Sequence, residues 1–177
     1  MSNSAARQLR TALLKLGLGA ILTTGCQSQA EEVVRIGFDD IHGWGPQDPP
    51  WLTDSTAHSG RWSYSLSIAD DYGPNFSRSW AELNNPKTIR VGAWVWLPHG
   101  RITTALAINV ERDGEKIYYK SMGFREVVKR YRSWELVHQT HELPADMRPT
   151  DMVNVYIWQW GEHHRMKCDD MFVEKLR

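Results

Sequence analysis

From residue 33 onward the apolar residues come in short runs and alternations, almost nowhere at helical spacing. Val33-Val34-Arg35-Ile36-Gly37-Phe38 predicts a first strand. Trp62, Tyr64, Leu66 and Ile68 alternate with Ser63, Ser65 and Ser67, a period of two that sends large residues to one face and hydroxyls to the other. Gly60 marks the turn before them. Thr88 to Trp96 and Thr103 to Glu111 follow, with Pro98-His99-Gly100 between, and Leu106, Ile108 and Val110 share a face. Asp113-Gly114, set before Ile117-Tyr118-Tyr119, predicts a hairpin, because Gly and less readily Asp accept positive φ. Trp134 to Leu143, Val153 to Trp160 and Met166 to Leu176 complete the set, separated by Pro144, Pro149 and Gly161-Glu162-His163-His164. The stretch Met122 to Arg132 carries four basic residues and reads as a solvated connection with room for a short helix. Eight or more short strands without βα alternation predict an all-β sandwich of two antiparallel sheets.

The first 25 residues are different. Arg7, Arg10 and Lys15 precede a mostly apolar run from Leu16 to Thr24, with no acid among them. Positive charge, a short apolar stretch and then small residues is the pattern of a signal peptide, and the run is shorter than the roughly 20 residues that span a bilayer. Thr24-Gly25-Cys26 resembles a bacterial lipobox, with Thr23 where that pattern has Leu. The resemblance implies lipidation of Cys26 and a chain held at the bacterial cell envelope by acyl chains alone, at the outer membrane in a Gram-negative host. Secretion after cleavage elsewhere is the competing reading. Residues 26–32 then form a tether and 33–177 the domain.

Charge and cysteine content narrow the function. Lys and Arg number 21, as do Asp and Glu. Removing Arg7, Arg10 and Lys15 leaves 18 basic residues against 21 acidic, a net of −3. Such a domain offers no field for nucleic acid. Cys26 and Cys168 are the two cysteines, so lipidation of the first leaves Cys168 unpaired, most simply as a buried thiol beside Met166 and Met171.

Ala57-His58-Ser59-Gly60-Arg61-Trp62-Ser63-Tyr64-Ser65-Leu66 resembles the second-strand signature of the galactose-binding-like jelly roll. Gly37-Phe38-Asp39 is similar to its opening strand, Thr88 to Leu97 to its Trp-bearing strand, and Val153 to Trp160 with Cys168-Asp169-Asp170-Met171 to its closing pair. The likeness covers about residues 33 to 176. It implies the fold of carbohydrate-binding modules in bacterial secreted proteins. It also implies a structural calcium ion held by Asp39, Asp169 and backbone carbonyls of His58, Gly60 and Arg61. Calcium takes six to eight oxygens and accepts such a mixture. Strand alternation would aim only one acid of Asp39-Asp40 and one of Asp169-Asp170 inward.

A polysaccharide ligand calls for exposed aromatic rings beside hydrogen-bonding groups, since sugar rings present apolar C–H faces. Trp44 and Trp51 lie in a Gly/Pro-rich stretch, and Tyr156, Trp158 and Trp160 share a strand face. Trp44, Trp51, Trp158 and Trp160 are the leading candidates for glycan contact. Trp94 and Trp96 share another face, where packing competes with binding. His138 and His141 would point to opposite faces, and His163-His164 would diverge, so neither pair predicts a zinc site. The chain has no Gly-x-Ser-x-Gly and no His-Glu-x-x-His, and no pair of its acids is singled out by spacing. These observations favour a non-catalytic carbohydrate-binding module on a lipoprotein. The alternative is a protein-interaction lipoprotein of the same fold.

Overall fold

The computed structural model describes residues 30–40 and 51–177. Residues 1–25, read from the sequence as a signal peptide, Cys26 and Trp44 lie outside the described residues. Ten strands and one short helix follow in order: β1 (Ala30–Ile36), β2 (Leu52–Thr53), β3 (Ser63–Leu66), β4 (Tyr72–Ser79), β5 (Thr88–Trp96), β6 (Thr104–Arg112), β7 (Glu115–Gly123), α1 (Phe124–Val127), β8 (Trp134–Glu142), β9 (Met152–Gln159) and β10 (Met166–Leu176). Their pairings are antiparallel.

One sheet runs β2-β3-β10-β5-β8, with β1 also paired to β10; the other runs β4-β9-β6-β7. β10 pairs with β5 along one edge and with β1 and β3, end to end, along the other. The first and last strands therefore meet. β1 begins at Ala30, opposite Leu176, three residues ahead of the strand start expected at Val33.

Alternation builds the core. Ile89, Val91, Ala93 and Val95 of β5 face Leu106, Ile108 and Val110 of β6 and Val153, Val155 and Ile157 of β9, all essentially inaccessible. Burial of each large aliphatic side chain contributes roughly 1.5–3 kcal/mol. Phe124 of α1 and Leu83 join the same cluster. β6 and β7 close through Asp113 and Gly114, with φ of 53° and 86°, the positive values that the Asp-Gly pair predicted. Cys168 is buried, and burial pushes its thiol well above the usual range.

Three local departures from alternation have physical causes. Ile68 is 56% exposed because β3 stops at Leu66 and the chain turns through Asp70. β4 was not foreseen: Gly73-Pro74 interrupts its pattern, yet Pro74 fits where the register against β9 shifts between Tyr72 and Asn75. β10 carries an extra residue between Asp169 and Phe172, and Asp170 there has φ 45°.

Candidate functional site

The outward face of the four-stranded sheet carries an ordered grid of side chains. Across β4, β9, β6 and β7 one row reads Tyr72, Trp158, Ala105, Gly123, and the next Asn75, Tyr156, Ala107, Ser121. The third is Ser77, Asn154, Asn109, Tyr119. Small residues on β6 and β7 lie beside large aromatic rings on β9. A floor of this kind leaves room along the rings. A cleft of about 410 Å³ lies here, lined by Tyr72, Asn75, Asn109, Glu111, Asn154 and Tyr156, among others.

The rings form a strip. Tyr72 and Tyr156 are tilted with centroids 6.0 Å apart, and Trp158 and Trp160 lie 4.8 Å apart at 33°. Trp160 is 37% exposed, its position fixed by its N–H donating to Thr103 O at 3.0 Å. Burial, with Tyr119, Tyr72 and Glu111 nearby, raises the Tyr156 phenol above its usual value, so its hydroxyl stays a neutral donor and acceptor. Beside the strip stand amides. Asn109 donates to Glu111 Oε1 at 3.0 Å, while its Oδ1 is buried without a hydrogen-bond partner. Lys116 lies 4.9 Å from the Tyr119 ring at the far end. Glu111 is the one carboxylate among the cleft-lining residues, whereas glycoside hydrolysis uses two facing each other.

The sequence-derived candidates divide. Trp158 and Trp160 belong to the strip. Trp51 stacks on Tyr64 at 4.7 Å and meets Phe38 edge-on at 6.2 Å, so it covers the end of the core. It also lines an adjoining cleft that shares Tyr72 and Gly73 with the groove. Sequence reasoning did not single out Tyr72, Asn75, Asn109 or Asn154. Two left a legible signal: Asn109 and Asn154 each interrupt an apolar strand at outward parity. Tyr72 and Asn75 left none, because β4 itself was unseen.

Asp39, Asp169, Asp170 and the loop 58–62 come together at the junction of β1, β3 and β10. Asp39 Oδ1 accepts from Arg61 N at 2.8 Å and Trp62 N at 3.3 Å. Asp169 Oδ2 accepts from His58 N at 2.8 Å and Ser59 N at 3.2 Å. Asp170 takes His58 Nδ1 at 2.6 Å and the Ser59 hydroxyl at 3.0 Å. Both members of the Asp169-Asp170 pair thus address one loop, since the extra residue at the bulge breaks the alternation that would have separated them. Burial first, then the charge of Asp170, pushes the Asp169 carboxyl above its usual value. Among the described residues no three His, Cys, Asp or Glu side chains are grouped to hold a metal ion. Where the resemblance implied backbone carbonyls of His58, Gly60 and Arg61, the contacts shown to these carboxylates are N–H groups, of His58 and Ser59 on Asp169 and of Arg61 and Trp62 on Asp39.

Among the histidines, His141 and His163 are bonded and His138 is exposed. His138 and His141 take opposite faces of β8, as their spacing required, and His141 is buried against the Tyr118 hydroxyl at 3.0 Å. His163 Nδ1 lies 3.1 Å from Ile68 O and its Nε2 3.2 Å from Asp71.

With two sheets, this strand order and the β1–β10 closure, the chain is a galactose-binding-like jelly roll resembling carbohydrate-binding modules. No family model and no curated protein sequence matches it. Solved structures do. The CBM22-1 xylan-binding domain of Paenibacillus barcinonensis Xyn10C superposes with a TM-score of 0.56 at 15% identity, over 85% of this chain and 97% of that one. The C-terminal family 22 carbohydrate-binding module of Clostridium thermocellum Xyn10B gives 0.53 at 13%, over 81% and 94%. At these identities the likeness is one of fold.

Proposed function

We propose that this protein is a non-catalytic module that binds a neutral polysaccharide along the outward face of the β4-β9-β6-β7 sheet. The observation that carries this is the aromatic strip of Tyr72, Tyr156, Trp158 and Trp160 set beside Asn75, Asn109 and Asn154. Stacked rings match the apolar face of a pyranose, and side-chain amides match its vicinal hydroxyls as donors and acceptors. Several consecutive sugars fit such a row better than one. Xylan is the first polymer to try, because domains of this fold are described as binding it. The signal-peptide pattern of residues 1–25 and the lipobox-like Thr24-Gly25-Cys26 support a lipid-anchored module at the bacterial envelope, able to hold polymer close to the cell.

Affinity electrophoresis in gels containing xylan, mixed-linkage glucan or galactan tests the proposal. Retarded migration by one polymer supports it, provided Tyr156→Ala removes the retardation while circular dichroism stays unchanged. Unretarded migration in all three would favour a protein partner for the same face.

A structural calcium ion at Asp39 and Asp169 belongs to the proposal as a stabiliser. Its support is the convergence of Asp39, Asp169 and Asp170 on one loop, where a divalent cation would offset the burial and, after it, the Asp170 charge that raise Asp169. An ion that binds only the folded form raises the melting temperature. The expected result is a higher melting temperature in calcium than in chelator, with the difference lost in Asp169→Asn. Equal melting temperatures would mean that the amides alone tie the loop.

A further inference from the structure

The outward face of the six-stranded sheet carries a second cleft, which shares Ser65 and Arg165 with the cleft lined by Trp51 but no residue with the groove itself. Across β3, β10, β5 and β8, Ser65, Lys167, Trp96 and Trp134 stand in register on the outward side of the six-stranded sheet. A cleft of about 360 Å³ opens at this row, lined by Thr53, Ser55, Ser65, Trp96, Arg165 and Lys167, among others. Lys167 Nζ donates to Ser55 Oγ at 2.5 Å and lies 5.6 Å from the Trp96 ring centroid. Arg165 is exposed beside it. Among the described residues neither cation has a carboxylate partner.

We infer that this cleft binds an acidic sugar residue, a uronate of a polysaccharide, with the carboxylate on Lys167 and Arg165 and the ring on Trp96. A guanidinium fork and an ammonium on one side of an anion supply charge-assisted hydrogen bonds, the stronger kind. The hydroxyls of Thr53, Ser55 and Ser65 answer the hydroxyls of the sugar. Half-burial holds the Lys167 ammonium below its usual pKa, a cost that a bound anion offsets. Neutral sugars leave both cations unmatched, so the site discriminates by charge where the groove does not. Two faces with different preferences would let one module contact two polymers, or two regions of one substituted polymer. The site stands whether or not the groove binds its own ligand.

Titration calorimetry of the protein with tetragalacturonate, its methyl ester and sodium sulfate tests this. The expected result is binding of the acid oligomer that weakens at high salt, falls at least about tenfold in Lys167→Gln and in Arg165→Gln, and persists in Tyr156→Ala. The methyl ester should not bind here. No binding of the acid oligomer, equal binding in both charge variants, or loss in Tyr156→Ala alone would overturn the assignment. Sulfate competing as well as the oligomer would overturn its sugar part.

Discussion

At the scale of single residues, the buried Asp151, Gln159 and Asp169 fix loops through hydrogen bonds to their backbone, whereas the buried His141 does not. It sits 5% exposed, bonded through Nδ1 to Tyr118 with Nε2 unpartnered, and burial lowers its pKa to about 4. The unfolded chain takes a proton near 6.5 while the folded one refuses it until about 4. Stability therefore falls as pH drops through that window and levels off below it, by up to roughly 3 kcal/mol. Asp169 acts with the opposite sign, because burial raises its pKa and makes the folded form hold the proton to higher pH than the unfolded one. Melting temperatures of the protein and of His141→Gln from pH 7 to pH 4 separate the two: the variant should show a flatter profile. An unchanged profile would mean that another group sets the slope. The sequence marks His141 and His138 as facing opposite ways, but which face was inward depends on tertiary pairing, which no local pattern reveals.

Among elements, β10 organises the sheet, because it alone meets β1, β3 and β5. Its ends were readable from apolar runs; the bulge at Asp170 was not, since a single extra residue changes no composition. The bulge sets the register that follows, bringing Phe172 opposite Gly92. A Cβ at Gly92 would collide with the Phe172 ring and stand 2.7 Å from Val137 O. Arg35 lies over the other part of that ring at 5.2 Å, leaving it little freedom to move. Gly92→Ala should therefore destabilise by about 1–3 kcal/mol, in the manner of overpacked sites. Chemical denaturation would show this, and the paired change Gly92→Ala with Phe172→Leu should recover part of the loss. An unaffected single variant would show that the two strands slide freely. β4 teaches the converse: Gly73-Pro74 conceals an edge strand whose Tyr72 and Asn75 complete the groove.

For the whole molecule, the sandwich turns two differently furnished faces outward, aromatic rings and amides on one, Lys167 and Trp96 on the other. The sequence disclosed both facing sheets, the hairpin and the Trp158–Trp160 pair, since these follow from alternation within one strand. It could not disclose that Tyr72, Trp158 and Ala105 form one row, because rows are made by register between strands distant in sequence. The proposed binding by the groove rests on such rows. Titration calorimetry with xylohexaose is the most direct measure, comparing the protein with Tyr156→Ala and Trp158→Ala. The account predicts saturable binding that weakens at least about tenfold in each variant, with Lys167→Gln indistinguishable from the parent. Binding that survives both aromatic changes, or that disappears with Lys167→Gln, would contradict it.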